Sequence, residues 1–374
     1  MVQHPYRELP EFTRWSKAIA QVPCDRVDPV VNFPFRVKQT DRVATAGSCF
    51  AQHIARHLKS NGFNYFVTEE GHSLLGICPG LLELYNYGTF SARFGNIYTS
   101  RQLLQTFKRS FGAFEPQEPV WTEASGRFID PFRPAIQPNG FATMAELERD
   151  RLQHLDNIKR MFLELDIFVF TLGLTEFWYC VSDGAALPVC PGVSGGVFNE
   201  ALYAFGNLTV TDVVADMEEF FLLLREVNPS AKIILTVSPV PLAATAEVNH
   251  VLVSTTYSKS VLRVAAETLS RANNHVAYFP SYEIITGNFS RGQYYSDNLR
   301  DVTELGVSHV MRLFLQHAAE ATGEGGVEEP DVAGGSPGKF YAKMQEVMNT
   351  VCEEALIEAS LEVEAATNQV ESCK

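Results

Sequence analysis

The chain has 374 residues, of which 46% are hydrophobic, so it can bury one large α/β core or two smaller ones without disulfide staples. Its formal net charge of −14 disfavours nucleic acid as a partner, because phosphate contacts need an excess of Lys and Arg. The N-terminal stretch lacks an apolar signal region, and the longest apolar runs are too short to span a bilayer. We therefore expect a cytoplasmic protein without a membrane span.

Predicted elements begin after an N-terminal extension of residues 1–40. The segment RVATAGSC, residues 42–49, predicts a strand, and the spacing of apolar residues predicts a helix over about Ala51–Asn61. The segment FNYFVTEE, residues 63–70, predicts a second strand. This order is typical of a βαβ unit.

The long middle region, about residues 72–165, is interpreted as an insertion. Helical patterns occupy YTSRQLLQTFKRSF, residues 98–111, and about Ala145–Leu163. Between them lies a loop rich in proline, residues 114–134.

Strands and helices alternate again from residue 166 onward. Strands are predicted over 166–173 and 231–240 and at HVAYF, and helices over about Val213–Val227, 254–273 and near Val302–Ala321. Repeated alternation predicts an α/β domain over residues 41–320, with a mainly parallel, doubly wound sheet and helices on both faces.

The C-terminal region has a different composition. Residues 321–338 are rich in Gly, Pro and Glu and predict a flexible linker. Residues 339–374 predict an acidic helical tail whose apolar face suits docking on a partner or self-association.

Seven scattered cysteines, none in a close Cys-x-x-Cys pair, indicate free thiols rather than zinc or redox chemistry. The sequence contains no P-loop, dinucleotide glycine fingerprint or metal-ligand cluster. We therefore expect neither a metal nor another cofactor.

Open parallel sheets form active sites at the carboxyl ends of their strands. The first strand ends in Gly47, Ser48 and Cys49, at the start of a helix whose dipole favours a thiolate and stabilises an oxyanion. Cys49 responds directly to that field, whereas Ser48 needs a general base. Alternatively, Ser48 is the N-cap of the helix and Cys49 a small buried hydrophobe. His53, one turn later, could pair with Cys49 or lie on the surface.

The pentapeptide Gly47-Ser48-Cys49-Phe50-Ala51 resembles the signature of the GSCFA family, which is similar to the SGNH/GDSL hydrolases. Further stretches that resemble its proteobacterial members follow in order between Arg42 and Phe314, namely FGNIYTSRQLLQ, FTLGLTEFW, LTVSPVPLAAT, TTYSKSVLR and YFPSYEIITG. The resemblance implies a three-layer α/β/α sandwich with a flavodoxin-like sheet. It also implies acyl-ester chemistry, by hydrolysis or transfer.

Two functional blocks of the wider superfamily can be carried across. Its Gly-Asp-Ser block places Cys49 at the nucleophilic serine, and a shift by one residue places Ser48 there. Its Gly-x-Asn-Asp block, which helps to hold the oxyanion, falls on Gly173, Thr175 and Glu176. Thr175 could still donate a hydrogen bond, and Glu176 could orient a base or anchor its loop.

The closing Asp-x-x-His block of the superfamily is not matched. The corresponding loop offers Asp297 and Asp301, followed by His309 on the final predicted helix. If His309 is the base, Asp301 or Asp297 orients its other nitrogen. Otherwise His309 is a helix-surface residue, and the carboxylates of Glu176, Glu283 and Asp301 become the candidates.

Five other residues have two interpretations each. Lys259 and Arg263, one turn apart, could clamp a phosphate or carboxylate or lie on a solvated helix face. Asn96 could donate to the oxyanion or cap the following helix. Trp121 and Trp178 could line a sugar or acyl pocket, or belong to the core.

These observations predict an esterase or O-acyltransferase that acts on an acylated carbohydrate or other small ester through an acyl-enzyme on Cys49 or Ser48. The sugar substrate and the acyl donor follow from the resemblance alone. The alternative is a catalytically degenerate domain that binds a glycan, an acyl ligand or a protein without turnover, and the missing Asp-x-x-His spacing favours it.

Overall fold

The computed structural model describes residues 4–71 and 79–320, together with Ile357. The strands are β1 (Val43–Gly47), β2 (Trp121–Thr122), β3 (Phe128–Ile129), β4 (Ile167–Leu172), β5 (Glu176–Cys180), β6 (Ala186–Leu187), β7 (Tyr203–Asn207), β8 (Lys232–Val237) and β9 (Val276–Tyr278). The helices are α1 (Phe50–Ser60), α2 (Pro79–Leu84), α3 (Ser100–Ser110), α4 (Met144–Glu164), α5 (Val210–Val227), α6 (Val251–Ala272), α7 (Ser281–Thr286) and α8 (Glu304–Ala318).

The centre of the molecule is a parallel sheet with the strand order β1-β4-β8-β9. β4 is buried along its whole length, as expected for a strand that is covered on both faces. Its register places Thr171 opposite Gly47 of β1 and opposite Thr236 of β8. The carboxyl ends of these three strands therefore meet at one edge of the sheet.

Helices cover both faces of this sheet. α1, α7 and α8 pack on the face to which Val169 belongs. α3, α4, α5 and α6 form the other layer, over Phe168 and Phe170. The predicted three-layer α/β/α sandwich is confirmed.

The predicted strand over residues 63–70 is reduced to a single parallel bridge. Only Tyr65 bridges to Val43 at the edge of β1. The chain then turns away, because the backbone N–H of Thr68 donates to the carbonyl oxygen of Ser91 (2.8 Å). With this edge segment counted as second, the order of parallel segments is 2-1-3-4-5, as in flavodoxin-like folds.

Two small antiparallel sheets lie outside the central sheet, and no sequence pattern predicts them. β5 pairs with β6 and β7 in a three-stranded sheet that follows β4. β2 and β3 form a two-residue pair within the proline-rich loop. Strands this short do not produce a recognisable period in a window of 11–18 residues.

The N-terminal extension packs against α8. The backbone N–H of Val37 donates to the carbonyl oxygen of Ala318 (2.6 Å), and Val37 bridges to Ala319. Val27, Val30 and Val37 are all buried. The extension therefore contributes apolar side chains to the domain interior.

The predicted linker over residues 321–338 and the acidic tail over residues 339–374 lie outside the described residues, apart from Ile357. Across residues 4–71 and 79–320, no helix has the length and apolar character needed to cross a membrane.

Candidate active site

The turn from β1 to α1 requires glycine at position 47. Gly47 has a φ of +137°, and a Cβ atom there would lie 2.5 Å from the carbonyl oxygen of Thr171 on β4. The carbonyl oxygen of Gly47 accepts a hydrogen bond from the N–H of Ile97 (2.9 Å). This bond brings the loop before α3 to the carboxyl edge of the sheet.

Ser48 follows at this turn with its side chain buried. Its Oγ has no hydrogen-bond partner among the residues that the structure describes. α1 begins at Phe50, its N-cap is Cys49, and no side-chain hydrogen bond caps it. The alternative that the hydroxyl of Ser48 caps α1 is therefore wrong.

Two more hydroxyl groups lie at or just beyond the carboxyl end of β4. Thr171 and Thr175 are fully buried, and within the described part of the chain their Oγ1 atoms have no hydrogen-bond partner. Gly173 lies between them, and a Cβ atom added there would be 3.2 Å from the Cβ of Ser48. We refer to Ser48, Thr171 and Thr175 as the edge hydroxyls.

α6 contributes two polar groups to this edge. The side chain of Lys259 is 2% exposed, and its Nζ donates to the carbonyl oxygen of Gly173 at 2.6 Å. The hydroxyl oxygen of the preceding Ser258 accepts a hydrogen bond from the N–H of Thr175 (3.1 Å). The alternative that Lys259 lies on a solvated helix face is wrong.

Arg263, one turn later on α6, has separate partners. It forms ion pairs with Glu283 and Glu267, and its guanidinium lies 4.1 Å from the ring centroid of Tyr278. Because two carboxylates already contact Arg263, it does not form the predicted anion clamp with Lys259. Glu283 is likewise held by Arg263 and by the hydroxyl of Tyr278 (2.7 Å).

His309 is buried, and both of its ring nitrogens have partners. Its Nε2–H donates to the carbonyl oxygen of Val27 (2.9 Å), and its Nδ1 lies 2.7 Å from the hydroxyl of Tyr294. Burial, together with Arg312, lowers the pKa of His309, so the ring is neutral at pH 7 and Nδ1 accepts from Tyr294. His309 thus connects the N-terminal extension to α8. It is neither a helix-surface residue nor a base with a ring nitrogen available for catalysis.

The two aspartates predicted to orient His309 do not contact it. Asp301 accepts a hydrogen bond from the side chain of Asn298 (2.8 Å), and Asp297 is exposed. The predicted pairing of either carboxylate with His309 is wrong, because Tyr294 and the backbone of the extension occupy the ring nitrogens.

The remaining candidates on α1 differ in environment. Cys49 is partly buried and packs against the hydrophobic cluster between the sheet and α8. His53 is buried beside Phe50, with ring centroids 5.6 Å apart, so it is not a surface residue. Burial, reinforced by Arg56 and His57, lowers the pKa of His53 to about 3.

Glu176, at the start of β5, contacts the loop that follows β8. Its carboxylate accepts hydrogen bonds from the hydroxyl of Thr245 (2.7 Å) and the N–H of Ala246 (3.3 Å). These bonds match the interpretation of Glu176 as a loop anchor.

Asn96 is buried in the loop that Gly47 holds at the edge. It does not cap α3, because Thr99 is the N-cap and forms a capping box with Gln102. Trp121 and Trp178 pack in a separate hydrophobic cluster around Tyr203, as expected for core residues.

A network of buried charges lies within the insertion and reaches Glu69 just before it, and no sequence motif predicts the whole network. Arg133, with a side chain only 2% exposed, pairs with Asp130 (3.0 Å) and Asp150 (2.8 Å). Arg93 pairs with Asp150 (2.8 Å) and Glu69 (3.5 Å). The spacing of Asp130 and Arg133, three residues apart in the sequence, is the signal that could have indicated their ion pair.

The groups of this network shift one another's pKa values. Burial and Arg133 lower the pKa of His154, so its imidazole is neutral at pH 7 and its Nδ1–H donates to Glu69 (2.7 Å). Burial raises the pKa of Glu69, but the hydrogen bonds from His154 and from the backbone N–H of Arg93, together with the charge of Arg133, lower it below its ordinary value. Arg133 and Arg151 likewise lower the pKa of Asp130 against the effect of burial.

In the described part of the chain, no group of three or more His, Cys, Asp or Glu side chains could hold a metal ion. Comparison with curated proteins finds no match. The family model described as "GSCFA family" matches residues 42–314, a range that runs from the residue before β1 into α8 and includes the edge hydroxyls and Lys259. The match covers most of the chain, which therefore belongs to the GSCFA family.

Proposed function

We propose that this protein hydrolyses or transfers an acyl ester, with Ser48 as the nucleophile. The proposal rests mainly on one observation, the buried Oγ of Ser48 without a partner among the described residues. Leaving a buried hydroxyl unpartnered costs about 1–3 kcal/mol. Three such groups at the carboxyl edge of a parallel sheet are most simply explained by a substrate that supplies the missing hydrogen bonds.

The surroundings of the two adjacent candidates favour Ser48 over Cys49. The space beside Gly173 is bordered by the Cβ of Ser48, and the carbonyl oxygen of Gly173 accepts the hydrogen bond from Lys259. Cys49 instead packs against the hydrophobic cluster on the α8 side of the sheet. The polar side of the turn is the better place for attack on an ester.

Attack by Ser48 would form a bond from Oγ to the acyl carbon and turn the carbonyl oxygen into an oxyanion. Thr175 and Asn96 are the candidate side-chain donors to that oxygen. The positive end of the α1 dipole adds a favourable field. These assignments need no metal ion.

Lys259 is our candidate for the group that accepts the proton of Ser48. Its Nζ donates to the carbonyl oxygen of Gly173, and a Cβ atom placed on Gly173 would lie 3.2 Å from the Cβ of Ser48. Buried lysines serve as general bases in enzymes when their amine is neutral. The amine would then return the proton to the leaving alcohol, and water or an acceptor hydroxyl would release the acyl group from Ser48.

An acylated carbohydrate or another small ester is the substrate class that we propose. The similarity of the GSCFA signature to SGNH/GDSL hydrolases supports this choice. Release to water makes the protein an esterase, and release to a sugar hydroxyl makes it an O-acyltransferase.

Labelling with a fluorophosphonate probe tests the proposal. The folded wild-type protein should be labelled on Ser48 and should hydrolyse aryl acetates. Ser48→Ala should abolish both, while Cys49→Ala should keep both, because the thiol takes no part. Lys259→Met should lower the rate at least 100-fold, in line with the loss of a positioned base.

Mass spectrometry of the labelled peptide gives the result, and circular dichroism confirms that each variant is folded. Labelling of Cys49 instead of Ser48, or labelling of unfolded protein only, would contradict the proposal.

The second candidate function is ligand binding without turnover. One observation favours it, since both nitrogens of His309 are used in structural hydrogen bonds. A folded protein that neither reacts with the probe nor hydrolyses esters, but binds acylated sugars, would establish this alternative.

A further inference from the structure

The backbone N–H groups of the connection between β4 and β5, residues 173–175, all donate to acceptors within the protein. Those of Gly173 and Leu174 donate to the carbonyl oxygen of Tyr98 (3.0 and 2.9 Å). That of Thr175 donates to the Oγ of Ser258 on α6 (3.1 Å). Backbone N–H groups are common donors in oxyanion holes, but this connection has none left for that purpose.

The hydroxyl of Thr175 is the donor that remains in the connection. Glycine and leucine have no polar side-chain atoms, and the buried Oγ1 of Thr175 has no hydrogen-bond partner among the described residues. An oxyanion beside this connection can therefore receive a hydrogen bond from it only through that hydroxyl. The place of the hydroxyl depends in turn on how the backbone of Thr175 is held.

Ser258 holds that backbone from α6. It is fully buried, and its hydroxyl oxygen accepts the hydrogen bond from the N–H of Thr175. The carbonyl oxygen of Thr175 accepts from the N–H of Leu208 (2.9 Å), which precedes α5. Lys259, the next residue of α6, donates to the carbonyl oxygen of Gly173. α6 thus contacts both ends of the connection, and Ser258 is its contact with Thr175.

We propose that Ser258 is a positioning residue for acyl transfer, which fixes Thr175 so that its Oγ1–H donates to the oxyanion. Ser258 acts through Thr175 and does not itself contact the substrate. The inference rests on the proposed function, because the oxyanion forms only when Ser48 attacks an ester. A donor that is displaced by about 1 Å can cost about 100-fold in rate, so the bond to α6 matters for the reaction.

Steady-state hydrolysis of an aryl acetate by the full chain tests this role. Ser258→Ala should lower kcat at least about tenfold and leave KM unchanged, because the oxyanion exists only during the reaction. Thr175→Val, which removes the donor itself, should lower kcat on the order of 100-fold.

The double variant separates positioning from a merely structural role. In the Thr175→Val background, Ser258→Ala should lower kcat less than about twofold, because the donor that Ser258 positions is already absent. A serine that only stabilises α6 would lower kcat by the same factor in both backgrounds.

Ser254→Ala is the matched control. Ser254 is also buried on α6, one turn earlier, but its Oγ has no hydrogen-bond partner in the described part of the chain. This variant should keep the wild-type kcat, and circular dichroism verifies the fold of each protein. If Ser258→Ala does not fold, Ser258→Cys replaces it. The thiol keeps the shape of the side chain but accepts hydrogen bonds weakly, so kcat should still fall.

An unchanged kcat after replacement of Ser258, or an equal loss with and without the hydroxyl of Thr175, would overturn the role of Ser258. Either result leaves wild-type turnover and the labelling of Ser48 intact, so the proposed function would stand. A wild-type protein that does not hydrolyse the ester would instead overturn the proposed function, and this inference with it.

Discussion

Ser48 combines two properties that structural residues rarely share, full burial and an unsatisfied oxygen. Ser48→Ala removes that oxygen and breaks no hydrogen bond of its side chain. We therefore expect the free energy of unfolding to stay unchanged or to rise by up to about 2 kcal/mol. Urea unfolding followed by circular dichroism measures it.

Thr209→Ala is the control for this measurement. Thr209 is the N-cap of α5 and accepts a hydrogen bond from the N–H of Asp212, so its loss should cost about 1 kcal/mol. If Ser48→Ala costs as much as Thr209→Ala, the hydroxyl of Ser48 has a structural partner after all. The main observation behind the proposed function would then be lost.

The structure of the turn from β1 to α1 could be predicted in part from the sequence. A Gly-Ser-Cys sequence between a strand and a helix indicates that glycine is needed there, and the φ of Gly47 agrees. The partners of His309 were not predictable, because Val27 and Tyr294 lie in segments whose packing on α8 left no pattern in the sequence. The burial of Lys259 could not be predicted either, because a single lysine on a helix normally faces water.

At the level of elements, α1 contains a titratable group on its buried face. The pKa of His53 is about 3 in the folded protein and about 6.5 in the unfolded chain. Between these values the unfolded chain binds the proton and the folded protein does not. The stabilisation of the folded protein that is linked to the neutral ring of His53 is therefore complete above pH 6.5. It is lost as the pH falls towards 3.

His53→Gln should reduce the acid sensitivity of the protein, because glutamine does not titrate. Between pH 7 and pH 5 the wild type should lose about 2 kcal/mol more free energy of unfolding than the variant does. Urea unfolding at the two pH values gives both differences. The same pH dependence for both proteins would mean that His53 is not the titrating group.

Elements with long periodic patterns were predicted well. α4 and α5 combine apolar spacing with capping boxes at Thr143 and Thr209, and β4 is a continuous apolar run. The segment after α1 has an equally strand-like sequence, yet it pairs with β1 only around Tyr65, because the N–H of Thr68 bonds instead to the distant Ser91. A local sequence pattern carries no information about contacts with distant segments. For the same reason, the antiparallel sheet that contains β5 was not predicted.

For the molecule as a whole, the N-terminal extension behaves as part of the α8 layer. Val27, Val30 and Val37 are buried, and burial of one valine contributes roughly 1.5–3 kcal/mol. Deletion of residues 1–38 should therefore lower the thermal midpoint by roughly 5–10 °C. Calorimetry of the truncated protein measures the change.

Deletion of residues 1–22 is the matched control, since the described residues of this stretch are mostly exposed. It should shift the midpoint by no more than a few degrees. An unchanged midpoint after deletion of residues 1–38 would show that the extension only rests on the surface of the domain.

The pairing of β1 with β4 also affects how the protein folds while it is being synthesised. At its start, Arg42 donates to Asp166, a residue 124 positions later in the chain. At ribosomal rates of about 5–20 residues per second, β4 is synthesised roughly 6–25 seconds after β1. Until then nothing holds the turn at Gly47 against Thr171, and the apolar edge of β1 is open to other strands. The proposed nucleophile, Ser48, is thus encoded early in the chain, but its site is assembled only after the entire insertion has been synthesised.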